Sequence, residues 1–400
     1  MVVVVGIGAD GWRGLSPAAR DELRAAEVVL GSARQLAELD GLAAERVAWP
    51  SPMLPALRSL LDEHADRALC VLASGDPMFF GVGSTLVRML GAERVRVLPQ
   101  ASALSLACAR VGWALDRVEA ISLVGRPVEQ LHPVLQPGRQ VLVLSADGST
   151  PAAIAELLTA RGYGGSRLTV LERLGSDEEH QLSGTAREWR CSTVDSLNIV
   201  ALAAEADADA PLLPRTPGLP DDAYEHDGQL TKREVRAITL AHLAPVPGQL
   251  LWDVGSGAAS IAIEWMRTHS SCRAVAVEKR DDRADRAERN AAQLGVPALE
   301  VVRGTAPEAL RDRQERPAAV FVGGGVTAPG VVETCWEALL PGGRLVASAV
   351  TAESEAVLTS WHGRLGGELL RTQVSRGSPV GSFTGWRAMM PVTTWKVTKP

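Results

Sequence analysis

The sequence predicts an α/β protein made of two successive open-sheet domains. Three observations lead there: short apolar runs alternating with helix-spaced segments in both halves, one proline-rich stretch between them, and a strand–glycine turn–helix junction in the second half. At 400 residues the chain is too long for one ordinary core. In the first half, buried-strand runs fall at 2–5, 68–73, 121–124, 141–145 and 168–171, with 198–203 as a last strand. Helical spacing occupies 17–26, 83–90 and 151–160. Strand followed by helix implies a largely parallel sheet. In the second half, strands fall at 250–254, 274–278, 299–302, 319–322 and 344–349, and helices at 232–243, 261–269, 283–294 and 331–339. Pro341-Gly342-Gly343 stops the last of these helices. Residues 206–222 carry four prolines and little apolar periodicity. The domains therefore divide as 1–205 and 222–400, with 206–221 as an extended linker.

Composition narrows the function. Apolar residues make up 46%, charged residues 22%, and the net charge is −6. Such a balance offers no general field for nucleic acid or anionic lipid, and the four Phe and two Tyr supply no basic-aromatic stripe. Cys70, Cys108, Cys191, Cys272 and Cys335 are scattered and never spaced as CxxC, which argues for neither disulfides nor a metal site. The chain opens directly on a strand-like run with no basic leader, and no apolar run reaches bilayer length. The expectation is a cytoplasmic protein.

The sharpest motif is Leu251-Trp252-Asp253-Val254-Gly255-Ser256-Gly257-Ala258-Ala259. Gly255 and Gly257 permit a tight turn and close backbone approach to a ligand. Asp253 suits a ligand bearing an ammonium group, whereas a dinucleotide would place pyrophosphate there. This disfavours a nicotinamide dehydrogenase, as does the incomplete G-x-G-x-x-G. Glu278 ends the next strand, where an acid accepts ribose hydroxyls. Thr305 and Ala306 follow the strand after it and would line an adenine pocket. Upstream, Thr231 and Glu234 read as a T-x-x-E capping box, and Thr231 is also a candidate ligand contact.

In the first half, Gly8 closes the opening strand. Ser74-Gly75-Asp76-Pro77-Met78-Phe79-Phe80-Gly81 closes another, and Ser102 caps the helix that follows Pro99-Gln100-Ala101.

These segments, in this order, resemble the tetrapyrrole methylase fold of two α/β lobes, in particular its CbiE branch. The likeness implies that Gly75, Asp76, Phe79 and Ser102 contact a cofactor, while Gly8 and the neighbouring cleft face the macrocycle. The segments DGQLTKREVRAITLAHLAP, LLWDVGSGAASIAIEW, FVGGG, LPGGRLVASAVTAES and GWRAMMPVTTW resemble the CbiT-type precorrin methyltransferase and decarboxylase, a Rossmann-like class I fold. One departure is Ala259, standing where the usual pattern has a third glycine; alanine is tolerated where a helix packs on a sheet. The C-terminal segment would supply the antiparallel last strand of such folds. Together the halves resemble the fused, decarboxylating C5,15-methyltransferases. The resemblance implies S-adenosylmethionine as cofactor and precorrin-6B as substrate. It further implies methylation at C5 by the first domain, then methylation at C15 and loss of the C12 acetate carboxyl in the second, giving precorrin-8. A homo-oligomer is also implied, with neither nucleic acid nor membrane as partner. The alternative left open is a methyltransferase pair acting on another small molecule or tetrapyrrole.

A substrate rich in carboxylates needs local cations. Residues 361–400 hold six Lys/Arg against Glu368 alone, and Lys232, Arg233 and Arg236 form a second group. Gln229, Arg233, Arg376 and Arg387 are the candidate substrate contacts, with guanidinium suited to bidentate pairing. No catalytic acid or base stands out; His226 is only a candidate.

Overall fold

In the computed structural model every residue except Asp40 and Ser51 is described. The chain forms two compact units, Met1–Val128 with Gln136–Pro211, and Glu129–Leu135 with Leu212–Pro400.

The first unit has two lobes. In the first lobe β1 (Val2–Ile7), β2 (Val28–Gly31), β3 (Glu45–Ala48), β4 (Leu69–Ser74) and β5 (Val95–Leu98) form an all-parallel sheet ordered β3-β2-β4-β1-β5. The valine-rich β1 is buried on both faces, as a central parallel strand requires. Ile7 pairs with Ser74, so the ends of β1 and β4 open side by side. Gly6 allows this: a side chain there would meet the Gly75 carbonyl at 2.1 Å. In the second lobe β6 (Glu119–Ser122), β7 (Gln140–Leu144), β8 (Arg167–Glu172), β9 (His180–Thr185) and β10 (Asn198–Ala203) are ordered β6-β7-β10-β8-β9. Here the expectation of a largely parallel sheet is corrected. Only β6–β7 is parallel, because β8, β9 and β10 follow one another without the helical crossovers that parallel pairing needs.

The second unit is built on a seven-stranded sheet. Its strands are β11 (Leu250–Val254), β12 (Arg273–Glu278), β13 (Glu300–Arg303), β14 (Ala319–Val322), β15 (Arg344–Ala349), β16 (Glu368–Thr372) and β19 (Val392–Thr398). A separate hairpin pairs β17 (Ser375–Val380) with β18 (Phe383–Ala388). The order β13-β12-β11-β14-β15-β19-β16 places the reversal of direction between β11 and β14, where such sheets bind ligands. The C-terminal strand β19 inserts antiparallel between β15 and β16, as expected. Leu251 and Trp252 face opposite sides of the sheet and anchor separate buried clusters.

The stretch read as a linker has no helix or strand before Asp221, yet its second half is no free tether. Leu219 is fully buried, and the Gly218 and Leu219 N–H groups donate to the buried Glu264 carboxylate. Proline content correctly excludes regular structure there but says nothing about packing.

Candidate functional site

In the first unit, the ends of β1 and β4 and the edge of the second lobe enclose a cleft of about 490 Å³. Gly8, Gly75, Asp76, Phe79 and Ser102 all line it. Gly75 adopts φ +60° and its N–H donates to the Ile7 carbonyl, which fixes the loop against β1. The Asp76 Oδ1 accepts the Met78 N–H at 2.9 Å, an Asx turn that leaves the second oxygen free of that bond. Ser102 caps the helix Ala103–Val111 by accepting the Ser105 N–H at 3.1 Å, as the sequence implied. The Phe79 and Phe80 rings meet edge to face and are 45% and 48% exposed. Two apolar rings left in solvent beside a cleft suit a flat, apolar ligand. Arg34 and Gln35 beside Ser74 on one wall, and Ser145 and Asn198 on the other, also line it. Apart from Ser74, which opens the quoted Ser74–Gly81 segment, they come from segments distant in sequence and carry no local motif, so they were not legible as site residues.

In the second unit, the glycine turn sits at the ends of β11 and β14. Gly255, at φ +68°, lies so close to the loop after β14 that a side chain would meet the Gly324 carbonyl at 2.7 Å. Glu278 is buried and accepts the Gly257 N–H at 2.9 Å and the Arg280 N–H at 3.0 Å. The Gly304 N–H donates to the Glu278 carbonyl, which brings Thr305 and Ala306 to the same edge. Gln229 lies over the turn, its carbonyl being the atom nearest a side chain built at Gly257.

Asp253 is fully buried and accepts the Ala262 N–H at 3.1 Å through Oδ2. Among the described residues its Oδ1 has no partner, and neither has the buried Ser256 Oγ. Burial, reinforced by nearby Glu278, pushes the Asp253 carboxyl up to about 7. Two orphaned polar atoms in one glycine turn are costly unless a polar ligand completes them. The donor set therefore fits a nucleoside bearing a cationic amino-acid tail.

Other sequence-derived candidates are placed differently. Ala258 and Ala259 have buried side chains, so only their backbone can reach a ligand; Ala259 takes the left-handed conformation at φ +56° that its glycine counterpart would adopt freely. The T-x-x-E box does not form. The helix begins at Arg233, its first N–H is taken by Asp221 Oδ1, and the Thr231 carbonyl is held by Arg236. Arg236 is fully buried and pairs with Glu264 at 2.6 Å, so it cannot meet substrate. Arg376 is paired with Glu234 at 2.6 Å and Asp221 at 3.3 Å. Those carboxylates already occupy the role assigned to substrate. Arg233 and Arg387 have no ion pair among the described residues. His226 is exposed and accepts the Gly228 N–H at Nδ1.

Two open sheet edges of these kinds in one chain fit a tetrapyrrole methylase joined to a second methyltransferase. Residues 1–189 match the family described as Tetrapyrrole (Corrin/Porphyrin) Methylases, and residues 222–399 match the Precorrin methyltransferase domain. The chain is 51% identical over 403 residues to the precorrin-6Y C(5,15)-methyltransferase [decarboxylating] of Mycobacterium tuberculosis, covering all of both chains. It is 47% identical to the protein of the same name from Sinorhizobium, covering all of this chain and 96% of that one. The C-terminal domain of the Rhodobacter capsulatus precorrin-6Y C5,15-methyltransferase, a crystal structure, is 44% identical over 47% of this chain and all of its own, with a TM-score of 0.44. The chain belongs to the family of precorrin-6Y C5,15-methyltransferases (decarboxylating), bifunctional enzymes of cobalamin biosynthesis. No helix among the described residues is long and apolar enough to cross a membrane.

Proposed function

We propose that the first unit methylates C5 of precorrin-6B, and that the second methylates C15 and releases the C12 acetate carboxyl as carbon dioxide, giving precorrin-8. Both use S-adenosylmethionine. The observation that carries this reading is the presence of two separate built edges: the cleft holding Gly8, Gly75, Asp76, Phe79 and Ser102, and the turn where Asp253 Oδ1 and Ser256 Oγ lack partners. The names of the full-length relatives specify both methylated positions and the decarboxylation.

When bound, the donor supplies an electrophilic methyl group on a sulfonium. The chain's own task is to orient it. Asp253 and the turn from Gly255 to Ala259 receive the amino-acid tail, Glu278 the ribose hydroxyls, and Thr305 and Ala306 the base. Gln229 and Thr231 close over the turn. In the first unit Asp76, Gly75, Phe79 and Ser102 hold the donor and Gly8 borders the macrocycle. Arg233 and Arg387 pair with substrate carboxylates. The ring's meso carbons are electron-rich through conjugation, so in-line placement supplies most of the acceleration.

A homo-oligomer is proposed on the β17–β18 hairpin, where Phe383 and Trp386 are 79% and 82% exposed. The free thiols of all five cysteines support a reducing, cytoplasmic location.

Mass spectrometry of the product from precorrin-6B tests the reaction. Two methyl groups gained and one carbon dioxide lost is the expected result. Donor binding without any change in precorrin-6B would redirect the search to another tetrapyrrole.

A further inference from the structure

We infer that Arg34, held by Ser74, forms a carboxylate-binding subsite in the cleft of the first unit. Among the described residues lining that cleft, Arg34 is the only cation and Asp76 the only carboxylate. Every other lining group is apolar or neutral. The guanidinium is half-buried, yet no carboxylate lies within ion-pair distance of it among the described residues. Burial, with repulsion from Arg173, holds it below the usual arginine range against the more distant attraction of Glu38 and Asp195. Its sole bonded partner among the described residues is neutral: Nη2 donates to Ser74 Oγ at 3.1 Å.

The placement is built rather than incidental. Gln35 Nε2 donates to the same Ser74 oxygen at 3.0 Å. Gln35 is itself fixed by a capping box, its Oε1 accepting the Ser32 N–H at 2.8 Å while its own N–H donates to Ser32 Oγ. Ser74 ends β4 one residue before Gly75, so the cation stands beside the loop that carries Asp76. A half-buried guanidinium bonded to one hydroxyl keeps donors to spare, and a planar carboxylate satisfies them two at a time. Opposite charges set apart on one wall suit a ligand that carries both.

This subsite rests on reading the cleft as the first methylation site. Two sources present the required group there: the amino-acid tail of the donor, and an acetate or propionate arm of the tetrapyrrole. The test uses the full chain carrying Glu278→Gln, which weakens the other donor site. It is titrated calorimetrically with S-adenosylhomocysteine and with 5′-methylthioadenosine, which has no carboxylate. If the donor tail is the source, Arg34→Gln weakens S-adenosylhomocysteine by about ten-fold or more and leaves 5′-methylthioadenosine unchanged. If the substrate arm is the source, both titrations are unchanged, and in the otherwise native chain KM for the tetrapyrrole rises by about ten-fold with little change in kcat. Arg34→Lys recovers part of either loss. Ser74→Ala, a milder change, moves the same quantity in the same direction and stands in if Arg34→Gln lowers the melting temperature. Unchanged binding and unchanged KM in a folded Arg34→Gln chain would overturn the subsite. Absence of binding in the cleft before Arg34 is altered would sink the underlying reading instead.

Discussion

Asp253 carries a carboxyl that the fold has removed from water and left half-bonded. Burial raises it from 3.8 to about 7 in the free protein. A ligand ammonium placed against it requires the ionised form, so binding below pH 7 must expel a proton. Calorimetry should show affinity for S-adenosylhomocysteine at this site rising about five-fold between pH 6 and pH 7 and about two-fold more by pH 8, then levelling. 5′-Methylthioadenosine, which lacks the α-ammonium and carboxylate of the amino-acid tail, should show no such slope, and Asp253→Asn should abolish it. Stability follows the same proton. A carboxyl whose folded pKa is raised contributes stability below 3.8 that is lost as pH climbs through about 7. Thermal melts of Asp253→Asn should therefore gain on the native chain above pH 7, with the gain shrinking toward pH 4; a constant difference across that range would contradict the assignment. Asp253 and Glu278 were legible because each ends an apolar run beside glycine or a helix start. Arg34 was not. Its meaning comes from Ser74, 40 residues away, and from having no carboxylate within ion-pair distance among the described residues.

At the scale of elements, the strands read most clearly where both faces are buried. β1, β4 and β14 are nearly continuous apolar runs, and β11 is broken only by Asp253, so none needs alternation to be seen. β9 and β17 escaped notice because HQLSGT and SRGSPV are partly or fully exposed edge segments with no buried face to impose a pattern. The capping box failed for a different reason: Asp221, twelve positions upstream of Arg233, competes for the helix N-terminus, and local sequence cannot show that. The same junction holds a buried ion pair. Glu264 accepts from Arg236, Tyr224 and the Gly218 and Leu219 N–H groups. Arg236→Ala should cost about 3–5 kcal/mol in chemical denaturation, since it strands a buried carboxylate. Gly255→Ala combines positive-φ strain with collision against Gly324, a cost of order 1–3 kcal/mol. It should also abolish donor binding in the second unit while leaving the first unit's site intact, as two-site titration would reveal.

For the whole molecule, the division into two unlike units was readable from the proline-rich stretch and from two different sets of strand-end motifs. The boundary itself was less so, because residues 212–221 pack on the second unit despite their composition. Separate sites should fail separately. Asp76→Ala should give product lacking the C5 methyl but still decarboxylated, and Glu278→Ala should leave the carboxyl in place, as product mass spectra would report. The central claim is that each unit holds its own methyl donor. Equilibrium dialysis of the full chain against labelled S-adenosylhomocysteine measures this directly. Two equivalents per chain are predicted, falling to one in either Asp76→Ala or Glu278→Ala. A single equivalent in the native chain, or loss of both from one of these substitutions, would contradict it.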